Sequence, residues 1–287
     1  MNNENLSSVF EQYINRFDDL NALDSHDEGY KWRVESHFVK YWDIDADDFA
    51  SMFKTAMEEV GKTNLIDNKS VHPIGGIRML LKQDSEVEFV RQCFRELFSD
   101  DGGDLVARQG RILSFMDKIN SRIKNYESGS WKYPQKINDV IYYLNLWRPW
   151  ENYIFKSTEA TNWANCIEFG DDFGSGADFS LEKYYHMCDE LLDAVQSNEA
   201  IMKLHAERFA REAQGYDGKL HISFPSGDKL FQYPAGIEKG FLSVPDESLM
   251  EKIVFEIRTK AELDVAEKKA VDAKKEYERL QREMELI

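Results

Sequence analysis

The sequence predicts a mainly α fold: a helical globular domain over residues 1–215, a small β-containing segment over 216–245, and a long C-terminal coiled-coil helix over 246–287. Three observations carry that reading. Apolar residues recur at steps of three and four through most of the first domain, the spacing of a helix face. Period-two alternation stands out in one place, Leu220, Ile222 and Phe224. After Pro245 the chain contains neither glycine nor proline, so nothing in it breaks a helix.

The elements follow in order. Val9, Phe10, Tyr13, Ile14 and Phe17 mark a first helix, and Tyr30, Val34, Phe38, Tyr41 and Trp42 a second. The acidic run Asp45 to Asp48 suits a helix N-terminus. It opens a third helix with Phe49, Met52, Phe53, Ala56, Met57 and Val60 on one face, ending at Gly61. After the segment His72-Pro73-Ile74-Gly75-Gly76 a helix is predicted from Ile77 to Leu81. Asp84-Ser85-Glu86 caps the next, with Val87, Val90, Phe94, Leu97 and Phe98, and Gly102-Gly103 breaks it. Leu105 to Tyr126 is amphipathic, whereas Ile137 to Trp147 is apolar on nearly every side and reads as a buried helix ended by Pro149. Tyr153-Ile154-Phe155 reads as a short strand. Ser157 caps a helix through Ile167, Gly170 to Asp178 forms a loop, Ser180 starts another helix, and one more runs from about Glu199 to Ala213. The alternating residues Leu220, Ile222 and Phe224, the turn Pro225-Ser226-Gly227-Asp228, and Leu230, Phe231 and Tyr233 form the only predicted hairpin.

In the C-terminal helix Leu263, Ala266, Ala270, Ala273, Tyr277, Leu280, Met284 and Ile287 are spaced alternately by three and four residues, the seam of a coiled coil. Alanines allow close approach but bury little area each. The expected partner is a second copy or another helical protein; a single solvated or back-folded helix is the alternative reading. The seam runs to Ile287 uncapped, so a longer natural protein is expected.

Composition restricts the function classes. Hydrophobic residues make up 42% and charged residues 31% of the 287, a globular balance with a highly charged surface. No apolar run reaches the ~18 residues of a membrane span, and the N-terminus lacks the basic-then-apolar order of a secretory signal; a cytoplasmic location is expected. A net charge of −17 argues against coating nucleic acid non-specifically. Cys93, Cys166 and Cys188 form no CxxC pair and are expected as buried thiols.

Motifs for chemistry are sparse. Ala56 to Thr63 follows the loose order of a phosphate-binding loop, but Gly61 closes an amphipathic helix instead of following a strand, and Glu58 and Glu59 stand where polyphosphate would sit. The reading is a helix C-terminus. His26, His37, His72, His186, His205 and His221 make no ligand pattern, and Asp171, Asp172 and Asp178 lack the order of a calcium loop. No metal, cofactor or catalytic residue is assigned. The one cluster that suits binding is Trp147, Arg148, Trp150 and Lys156, where aromatics beside cations can stack bases and hold phosphates, or equally line a core rim.

A longer series of segments has a familiar order. Phe94-Arg95-Glu96-Leu97-Phe98 is followed by Asp104-Leu105, Arg111-Ile112-Leu113-Ser114-Phe115, Ile141 through Pro149, and Tyr153-Ile154-Phe155-Lys156-Ser157. Over about residues 75–195 this resembles the helical region upstream of the ATPase or nuclease parts of McrB-like restriction and related bacterial anti-phage defence proteins. The resemblance implies a non-catalytic accessory or sensing module, with catalysis elsewhere. It would recognise nucleic acid or a partner protein near Trp147–Lys156 and assemble through the C-terminal helix. Two alternatives stay open: a structural coiled-coil adaptor with an acidic helical head, and a metal-dependent nuclease hidden among the carboxylates.

Overall fold

A computed structural model describes residues 1–15, 17, 30–149, 151–204, 263 and 266–277. The expected small β segment over 216–245, residues 205–213 of the helix expected from about Glu199, and Trp150, Leu280, Met284 and Ile287 lie outside the described residues. Within them the fold is mainly α, as the periodicity predicts, and no strand occurs.

The order is α1 (Asn3–Asn15), α2 (Tyr30–Tyr41), α3 (Phe49–Ala56), α4 (Pro73–Leu81), α5 (Asp84–Leu97), α6 (Leu105–Tyr126), α7 (Ile137–Trp147), α8 (Ser157–Cys166) and α9 (Leu181–Gln196). Further helical stretches follow over 199–204 and 266–277. Several starts are set by side chains that take up the free N–H groups of a first turn. Asp48 accepts from Ser51 N at 2.9 Å, Asp104 from Val106 N and Ala107 N, and Ser180 from Lys183 N. Asp139 reaches back to Lys136 N at 2.8 Å at the start of α7.

Two expected boundaries move. The helix expected from Ile77 begins at Pro73, because proline has no N–H to lose at a first helical position. Asp67 satisfies the following donor, Ile74 N, at 2.8 Å. The helix expected to reach Gly61 stops at Ala56, and a separate 3₁₀ turn spans Val60–Lys62, closed by Thr63 N on Val60 O.

α7 is buried from Asp139 through Leu146 and packs against α2 and α6, while α5 packs against α4 and α6. Phe94 on α5 is the meeting point. Its ring lies 5.1 Å from Trp42, 5.7 Å from Phe53 on α3, 5.0 Å from Phe115 on α6 and 5.5 Å from Tyr143 on α7. The pairs with Trp42, Phe115 and Tyr143 are edge-to-face, a geometry that adds to the burial itself.

Tyr153-Ile154-Phe155 is buried but has no regular secondary structure and pairs with no strand among the described residues. Carbonyls of this stretch and of the preceding Asn152 are met by side chains. Tyr184 OH donates to Ile154 O at 2.5 Å, and Asn145 Nδ2 donates to Asn152 O at 2.8 Å. Phe155 packs among Phe173, Phe179 and Tyr184, forming a second aromatic cluster under α9.

Candidate functional site

The segment from Trp147 to Lys156 leaves α7 and enters α8. Trp147 stacks on Phe98 with ring centroids 5.0 Å apart and planes 7° from parallel, and the Arg148 guanidinium carbon sits 4.1 Å over the Trp147 ring. Arg148 Nη1 lies 3.2 Å from Glu151 Oε1 and 3.6 Å from Asp100 Oδ2. The structure thus brings Trp147 and Arg148 together, with both engaged by neighbouring groups of the chain. Lys156 is half-buried at the start of α8.

Of the coiled-coil seam, Leu263, Ala266, Ala270, Ala273 and Tyr277 are described, are helical, and are all exposed. Every residue of 266–277 is exposed, including Val271 at 51% and Tyr277 at 62%.

The remaining expectations for reactive groups can be placed. Cys93, Cys166 and Cys188 are free and buried. Burial pushes the Cys93 thiol up to about 11, so it stays protonated and weakly nucleophilic. His186 faces Asp171 at 3.2 Å and Glu190 at 3.5 Å. Among the described residues no group of three or more His, Cys, Asp or Glu is placed to hold a metal ion. None of their helices is long and apolar enough to cross a membrane.

The structure also assembles a site that the sequence reading missed. An open cavity of about 920 Å³ lies between α3, the Val60–Lys62 turn and α4. Lys54, Lys62, Arg78 and Lys82 line it, with Glu58 as its carboxylate and Ala50 and Leu81 adding apolar surface. Lys62 is shared with Glu59 at 2.6 Å and Glu58 at 3.4 Å, and that pairing raises its pKa. Among the described residues Lys54, Arg78 and Lys82 have no carboxylate within 4.0 Å.

Arg78 is the inner cation. Its Nε is buried and meets no acceptor, a state that costs about 1–3 kcal/mol for a polar group of this kind. Gly61 leaves room beside it: a Cβ there would stand 3.7 Å from Arg78 Nη2. The loop that resembles a phosphate-binding motif therefore borders a cationic cavity, but as a helix end with a following turn. Its glutamates compete for Lys62. The available sequence signal was modest: Arg78 and Lys82 are four apart at the end of α4, and Lys54 and Lys62 are brought beside them only by the packing of α3 on α4.

No family model matches the chain, and comparisons with curated proteins and with solved structures likewise gave no match.

Proposed function

We propose that this chain is a non-catalytic accessory module of a bacterial anti-phage defence complex, which assembles through its C-terminal helix and presents an acidic helical head to a protein partner. The observation that carries the reading is the exposed helix 266–277, whose seam residues Ala266, Ala270, Ala273 and Tyr277, with Leu263 before them, are all exposed. A strictly spaced seam of this kind is self-complementary, and a second copy is the occupant we assign to it. The setting in a defence complex rests on the order of segments from Phe94 to Ser157 that resembles the McrB-like helical region.

A protein partner for the head is favoured over nucleic acid by charge. The net −17 repels a phosphate backbone, and the Arg148 cation is already shared with Glu151 and Asp100. The experiment is light scattering on the full chain and on a chain ending at Val244. A full-length oligomer that becomes monomeric on truncation supports the reading. A full-length monomer at high concentration would remove the assembly role.

A further inference from the structure

The cavity between α3 and α4 reverses the sign of the chain. A protein of net charge −17 gathers Lys54, Lys62, Arg78 and Lys82 around one concavity that holds a single lining carboxylate, Glu58. Like charges placed together raise the energy of the unliganded state, and an anion relieves that repulsion. Two kinds of donor face it. Arg78 offers a planar fork suited to two oxygens of one phosphate, while Lys54 and Lys82 are exposed and free to close on outer oxygens.

We propose that this cavity binds a compact phosphate-bearing ligand of nucleotide size, with Arg78 holding the innermost phosphate and Lys54 and Lys82 closing over the others. Size and surroundings set the ligand class. The cavity volume of about 920 Å³ falls within the range of small-molecule sites. The chain's net charge of −17 opposes a long polyanion that extends beyond the cavity, so a ligand satisfied within the cavity is favoured. Ala50 and Leu81 offer apolar contact to a base or sugar. Glu58, the lining carboxylate, opposes an incoming phosphate by its charge, while Lys62 is held chiefly by Glu59. The site is separate from the C-terminal helix, and the inference stands whether or not that helix pairs.

Isothermal titration calorimetry on the full chain at low salt tests it, with inorganic triphosphate and ATP as probes. Both are expected to bind, more weakly as salt rises. Arg78→Gln and the double variant Lys54→Gln/Lys82→Gln are each expected to lose about tenfold or more in affinity. Glu58→Gln is expected to bind a few-fold more tightly. Lys124→Gln, on α6, is the control and should match the parent chain. Because Lys54 and Lys82 are exposed, their double variant reads the site even if Arg78→Gln folds poorly. No heat with either probe at millimolar concentration, or equal affinity in the double variant, would overturn the proposal. So would binding of a single-stranded oligonucleotide that depends on Lys54 and Lys82 while triphosphate and ATP do not bind.

Discussion

Arg108 grips Asp101 through two parallel hydrogen bonds, Nε to Oδ2 and Nη2 to Oδ1, both 2.8 Å long. Their side chains are only 6% and 4% exposed. Arg111 adds a second cation to the same carboxylate, and Arg108 Nη1 continues to Glu151 O and Asn152 Oδ1. One guanidinium thus ties the loop after α5, the first turn of α6 and the loop after α7. That last loop carries the buried segment Asn152–Phe155, so the pair holds the two aromatic clusters in register.

Removing one partner from such a pair leaves an uncompensated buried charge. Asp101→Ala is expected to cost about 3–5 kcal/mol in urea unfolding. The Arg108 fork beside Asp101 holds its carboxyl well below the usual range. A depressed folded-state pKa means that the stabilisation is fully present above the unfolded value of about 3.9 and is lost as pH falls towards the folded one. The parent chain should therefore lose stability below about pH 4, and Asp101→Asn should lack that component. Equal stability of Asp101→Ala and the parent at pH 7 would show that the pair does not hold the loops.

Asp139 has the opposite sign. It is buried at the start of α7, and burial pushes its carboxyl up to about 7. Between the unfolded value of about 3.9 and the folded one, the folded state binds the extra proton, so stability falls as pH rises through that window. Asp139→Asn keeps an oxygen for Lys136 N and removes the titration. Its stability curve should be flatter between about pH 4 and pH 7, and at pH 8 it should equal or exceed the parent. Unfolding titrations of both chains across that range check the slope.

Two glycines in helices predict opposite outcomes. A Cβ on Gly76 in α4 would stand 2.6 Å from Tyr133 O and 2.8 Å from Ile123 Cδ1, so Gly76→Ala must displace backbone or core. A loss of about 1–3 kcal/mol is expected. Gly110 lies inside α6, exposed, and a Cβ there meets nothing within 4 Å. Gly110→Ala should gain about 0.5–1 kcal/mol from helix propensity. Thermal melts of the two variants should shift in opposite directions, and a shared direction would contradict the packing assigned to Gly76.

The helices were legible because each carries its own signal. The apolar spacing of Phe49, Phe53 and Ala56, the acidic run that ends in the cap Asp48 and the uniformly apolar run Ile137–Trp147 need no partner to be recognised. Tyr153–Phe155 was not legible, since its composition fits a strand, whereas Ile154 O is met by the distant Tyr184 hydroxyl and the preceding Asn152 O by Asn145. The cationic cavity was illegible for a related reason. Lys54 and Arg78 are 24 positions apart, and their meeting depends on how α3 lies against α4. The aromatic–basic order at Trp147 and Arg148 was visible, but Phe98, which stacks on Trp147, comes from another helix and gives no local sign of its role.

The central claim, pairing through the C-terminal seam, is tested most directly by sedimentation velocity on the full chain and on the variant Ala270→Glu/Ala273→Glu. Both positions are exposed in the single chain, so the substitutions leave the helical domain undisturbed while placing charges in the seam. The account predicts an oligomer for the parent and a monomer with unchanged thermal stability of the head for the variant. Identical sedimentation of the two, as monomer or as oligomer, would contradict it.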